Sequence, residues 1–213
     1  MRSSTESTLL ISTPTGRRNI SVFAGNIYIG LVSVDYGSFS GKCKQSCCNY
    51  NIKLCCPPHS PRFETLAPDN QWLHVICLRM ALDQLPSFKN PYHRVRMANV
   101  MLKSRLTRVL LAWRAANPED YVLGSGACRA CKRCAAIDEL PCKKPEKRIY
   151  SLEATGVNCE HLVKACFGFG LEWYSPGRPC STTLVVGGIL SERQHLPELA
   201  RLIHNLLGSK LVL

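Results

Sequence analysis

The chain has 213 residues, 46% hydrophobic and 20% charged, which excludes a disordered polar chain and suffices for one sizeable core. Its formal net charge of +12 favours anionic partners: an acidic redox protein, an anionic small molecule or, less favoured, nucleic acid. No apolar run approaches the roughly 18 residues of a membrane span, and the first residues hold no long apolar signal core, so the expected compartment is cytoplasmic.

Residues 1–18 are rich in Ser and Thr and read as a flexible N-terminal segment, frayed or a leader strand. Residues 19–37, NISVFAGNIYIGLVSVDYG, are rich in Val, Ile and Tyr, with Gly25-Asn26 as the turn of an expected hairpin. The first cysteine block follows at 43–56. Pro57, Pro58 and Pro61 then favour an extended loop.

Residues 72–80, WLHVICLRM, fit a strand or a short helix; periodicity does not choose. Val95, Ala98, Leu102, Leu106, Val109 and Trp113 recur at helical spacing, so a long amphipathic helix is expected, ending before Asn117-Pro118. Its other face carries Arg94, Arg96, Lys103, Arg105, Arg108 and Arg114. A short strand, 121–123, leads through Gly124-Ser125-Gly126 into the second cysteine block at 128–142. Asn158 is the expected N-cap of a helix over 159–167, and the glycines at 168 and 170 stop it. Residues 182–190 read as a buried strand. A last helix puts Leu199, Leu202, Ile203, Leu206 and Leu207 on one face and stops near Gly208. The expected fold is therefore α+β or α/β, a mixed sheet with flanking helices. Residues 19–213 form one cysteine-rich domain with two metal loops on a shared core.

The chain has 13 cysteines. With no secretion signal and the thiols in tight groups, metal is the expectation rather than a disulfide framework. Cys128, Cys131, Cys134 and Cys142 follow C-x2-C-x2-C-x7-C. Zinc and an iron–sulfur cluster both fit. Structural zinc sites draw on separate two-cysteine knuckles, whereas three cysteines in a row at this spacing suit the corners of a 4Fe-4S cluster, with the fourth thiolate closing it. The last spacing departs from the ferredoxin loop, in which the fourth Cys follows after three residues. Seven Lys and Arg between 129 and 148 face three carboxylates, Asp138, Glu139 and Glu146; positive charge there would favour the reduced cluster.

In the first block, Cys43, Cys47 and Cys56 follow C-x3-C-x8-C-P-P. Three ligands leave one iron corner open to substrate, sulfide or water, unless His59 or a neighbouring cysteine closes it. A zinc knuckle and inert crowded thiols are the alternatives. Cys159 and Cys166, seven apart on one helix face, read as buried small apolar residues, as do Cys77 and Cys180. Glu153 is expected to serve structure. The sequence holds no phosphate-binding glycine loop, no dinucleotide fingerprint, no HExxH and no nucleophile elbow.

The two blocks in this order resemble the predicted metal-binding family catalogued as domain of unknown function twenty-two eighty-four. The matching residues are Cys43, Cys47, Cys56-Pro57-Pro58, Gly124-Ser125-Gly126, Cys128, Cys131, Cys134, Cys142, Pro145-Glu146 and Glu153-Ala154-Thr155-Gly156. Cys48 and Cys55 depart from the pattern. The resemblance spans roughly residues 40–190 and implies metal binding, with no reaction to carry over. The residues themselves favour an iron–sulfur protein in electron transfer, as a redox accessory subunit with one cluster or two. The alternatives are an open-iron enzyme of sulfur transfer or desulfuration, and a zinc-stabilised nucleic-acid-binding module.

Overall fold

The long β-branched runs become the sheet. A computed structural model describes residues 4–13, 15–67, 71–178 and 180–208. Its strands are β1 (Ser4–Thr13), β2 (Gly16–Tyr28), β3 (Trp72–Ala81), β4 (Tyr121–Gly124), β5 (Tyr150–Ser151) and β6 (Thr182–Ser191). They lie in the order β1-β2-β3-β6-β4-β5. Neighbours are antiparallel except β4 and β5, which are parallel. The helices are α1 (Tyr36–Ser46), α2 (Phe63–Leu66), α3 (Tyr92–Ala116), α4 (Cys159–Phe167) and α5 (Leu196–Leu207). The fold is α+β, a mixed sheet with flanking helices. No described helix is long and apolar enough to cross a membrane.

Burial on both faces explains why the central strands read as continuous apolar runs rather than as alternation. On one face Ile20, Val22 and Ala24 of β2 and Ile76, Leu78 and Met80 of β3 pack with α3 and α5. On the other, Phe23, Val75 and Cys77 pack with Leu162 and Val163 of α4 and with Cys55 and Cys56. The stripe expected on α3, Val95 to Trp113, is buried in full. The Asn158 side chain accepts from the His161 amide at 3.0 Å and caps α4. Gly168, at φ +79°, ends that helix. Residues 72–81, ambiguous by periodicity, are a strand because the sheet covers both their faces.

Two expectations are corrected. The hairpin is made by β1 and β2, with Thr13 opposite Gly16. Gly25 and Asn26 lie inside β2, opposite Val75 and His74, and turn nothing. Residues 4–13 of the N-terminal segment are thus a paired edge strand rather than a flexible lead. Its polar face is exposed, which hid it, while Leu9 and Ile11 are buried.

Candidate metal centre

The first block starts on a helix that periodicity does not reveal. None of the residues of α1 is buried; capping and a glycine hold it instead. Asp35 Oδ1 accepts from the Ser38 amide at 2.9 Å, and the Asp35 amide donates to the Gly156 carbonyl at 2.7 Å. Gly156 sits at φ +97°, and a Cβ there would stand 2.7 Å from the Tyr36 Cα. Glycine at this position seats α1 against the turn Glu153–Thr155.

Cys43 lies in the last turn of α1, and Cys47 follows the helix, its amide bonded to the Cys43 carbonyl at 3.0 Å. A run of turns brings back Cys55 and Cys56, both buried. Burial raises the Cys43 thiol, helped by Cys47 and Glu153. Cys56 is held down by its hydrogen bond with Cys55, against burial and the nearby Cys47 and Cys43. Cys43, Cys47 and Cys56 therefore share one neighbourhood, with Glu153 near Cys43. Cys48 is exposed, with a contact from the Asn49 side chain at 3.7 Å; His59 is exposed as well.

The second block occupies the stretch between β4 and β5. Its regular structure is two single turns, Ala135–Asp138 and Pro145–Lys147. Cys128, Cys131, Cys134 and Cys142 line one small cavity of about 30 Å³, together with Cys55, Lys53, Leu54, Ala130 and Arg148. Three amides point at its sulfurs. Cys128 N donates to Cys55 Sγ at 3.0 Å, Leu54 N to Cys134 Sγ at 3.4 Å, and Ala130 N to Cys128 Sγ at 3.5 Å. The Cys128 thiol is pushed up by its hydrogen bond with Cys55 and then by burial.

The two blocks meet at the tandem cysteines. Cys55 Sγ and Cys56 Sγ are 3.8 Å apart; Cys55 lines the second-block cavity while Cys56 faces Cys43 and Cys47. The spacing pattern gave Cys55 no role. The signal for it was the tandem itself, since adjacent residues in a turn point different ways and can serve two groups of thiols.

Cys77 and Cys159 are buried, and burial raises both thiols. Neither lines the second-block cavity. Among the described residues no three His, Cys, Asp or Glu side chains form a group that could hold one metal ion. Thiolates on a cubane bind separate irons and stand further apart than the ligands of one ion.

The sequence profile of the family described as Predicted metal-binding protein (DUF2284) matches residues 32–190, a span that takes in both cysteine blocks and the Glu153–Gly156 turn. No curated protein and no solved structure matches the chain.

Proposed function

We propose, from the premise that the chain belongs to the DUF2284 family of predicted metal-binding proteins, that it holds a 4Fe-4S cluster and passes electrons as a cytoplasmic redox accessory subunit. The ligands in this reading are Cys128, Cys131, Cys134 and Cys142. The observation that carries it is the gathering of these four thiols, with Cys55, around one cavity. When bound, the cluster supplies a one-electron couple whose potential depends on hydrogen bonds to sulfur, nearby charge and exposure. The amides of Leu54, Cys128 and Ala130 provide such bonds. Lys53 and Arg148 in the wall oppose the anionic charge of the thiolates. The exposed Lys132, Arg133, Lys143 and Lys144 suit the docking of an acidic redox partner. A cavity of about 30 Å³ has room for a water or two, less than a cubane occupies, so loading moves the 125–149 segment outward from Cys55.

A second reading places a cluster with one open iron at Cys43, Cys47 and Cys56, acting in sulfur transfer or desulfuration. One observation favours it: Glu153, near Cys43, also lines a cleft of about 690 Å³ that would admit a small substrate.

The test is iron, acid-labile sulfide and zinc content, with an absorption spectrum, on protein purified without oxygen. About four irons and four sulfides per chain fit the cluster on the second block, and about eight fit clusters on both. Cys131→Ser should abolish the second-block cluster. Stoichiometric zinc with no sulfide overturns the redox reading and favours a zinc-stabilised module, whose nucleic-acid binding would weaken steeply with salt.

A further inference from the structure

A second cavity stands against the outer wall of the cysteine loop. It holds about 390 Å³ between the flank of α3, the 124–130 turn and the returning chain at Lys147 and Ile149. That volume suits a small organic molecule. Val100, Leu111 and Ile149 make the lining largely apolar, and the charged groups in it are Lys103, Arg129 and Lys147. No Asp or Glu is among the lining residues.

Lys103 is the central feature. It sits half-buried on α3, and among the described residues its ammonium has no hydrogen bond or ion pair. Lys103 lines both this cavity and the neighbouring cleft; Glu153, which lines only the cleft, attracts the ammonium through space without a hydrogen bond to it. The amine lies against the turn at Gly126. Gly126 lies at φ +68°, and a Cβ there would come within 2.7 Å of Lys103 Nζ. The space a side chain would fill is occupied by the ammonium. Holding a cation half out of water with no hydrogen-bonded partner is unfavourable; burial lowers its pKa, with Glu153 opposing and Arg129 adding to the shift. An anion seated among Lys103, Arg129 and Lys147 removes that cost.

We propose that this cavity binds a small organic anion, an apolar body bearing one carboxylate or phosphate. Lys103 fixes the headgroup, and the exposed Arg129 and Lys147 close over it. Because Cys128 lines the cavity too, the bound anion lies against the second cysteine block.

The test is calorimetric titration of the full chain, as purified, with benzoate, with phenyl phosphate and with benzyl alcohol as the uncharged control. The expected result is one saturable site for at least one anion, with benzyl alcohol at least tenfold weaker. Lys103→Met keeps the apolar stem and should weaken the anion more than tenfold. Arg129→Gln alters an exposed residue, should leave the fold intact, and should weaken the anion severalfold. The same samples are assayed for metal, which Arg129→Gln should not change, so loss of the anion site is told apart from loss of the cluster. Absence of saturable binding by both anions overturns the proposal. So does benzyl alcohol binding as tightly as benzoate, or wild-type affinity in both variants.

Discussion

At Cys55 a single thiol connects the two cysteine blocks. It accepts from the Cys128 amide at 3.0 Å and lies 3.8 Å from Cys56 Sγ. Cys48, in the other tandem, is exposed. The two tandems look alike in sequence and should behave differently. Cys55→Ala leaves a part-buried amide without its acceptor, which costs about 1–3 kcal/mol, and it should lower metal retention; Cys48→Ala should stay within about 0.5 kcal/mol of the parent. Urea unfolding and metal content of both variants check this, and equal behaviour would show that Cys55 joins nothing. A second residue, His74, contributes to acid sensitivity. It is fully buried, and Nε2 stands 2.8 Å from the Arg193 carbonyl. Burial lowers its pKa from the ordinary 6.5, with His195 adding to the effect and the Arg193 carbonyl, Asp120 and Glu198 opposing it. A lowered folded-state pKa means that the unfolded chain takes the proton first as pH falls. The contribution of His74 is thus intact above pH 6.5 and shrinks below it, down to the folded-state value. His74→Gln should lose less stability than the parent between pH 7.5 and the acid side, read by urea unfolding at each pH.

Among the elements, α3 does more than cover the sheet. Its arginines look in sequence like a solvated basic face, but three of them tie down main-chain carbonyls. Arg94 reaches Pro86 at 2.9 Å, Arg105 reaches Met101 at 3.1 Å and Ser12 at 2.6 Å, and Arg114 reaches Arg148 at 2.9 Å as well as Glu146. Arg114 thereby anchors the end of the second cysteine segment to the helix. Arg114→Met keeps the stem and removes the two bonds, so limited proteolysis should cut the exposed 139–147 stretch several times faster, while cleavage elsewhere is unchanged. An unaltered cutting pattern would mean that the segment is held by other contacts. What sequence could reveal at this scale followed from burial. α3, α4, α5 and β6 each bury a periodic stripe or a whole run, and their residues announce it; the run of β3 announces burial but not whether it is strand or helix. α1 buries nothing and is held by Asp35 and Gly156, whose partner lies in a distant turn, so no local pattern marks it. Gly25-Asn26 has turn chemistry and so suggests a hairpin one strand late, but β3 pairs straight through both residues and β1 pairs with Gly25. The tertiary ladder overrode the local preference. Of the candidate site, the second-block thiols could be read from spacing, because their segment is short; the meeting of Cys55 with Cys128 could not, because 73 residues separate them.

The whole molecule is one sheet with two unlike coverings, and this decides what a metal can do for its stability. The α3 and α5 face is sealed by large aliphatic side chains, with Leu102, Leu106, Val109 and Leu110 almost wholly buried. On the opposite face α4 packs with Phe23, Val75 and Leu152, while the cysteine segments add Cys55 and Cys56 to that core and leave most of their length exposed. Small metal domains such as zinc fingers have no core of their own and unfold without their ion. Here the sheet buries its central strands independently of the thiols, so metal should order a region rather than fold the chain. Hydrogen exchange on metal-loaded and metal-stripped protein measures this directly. Amides in β3, β6, α3 and α5 should keep their protection after stripping, while those of 43–60 and 125–149 lose theirs. This is the pattern of a subglobal opening confined to segments with few buried apolar contacts. Global loss of protection would mean that the cysteine face holds the sheet together. The expected pattern also suits the proposed roles, since a segment that opens without disturbing the sheet can widen from a water-sized cavity to admit a cluster and still be built on a rigid strand at each end.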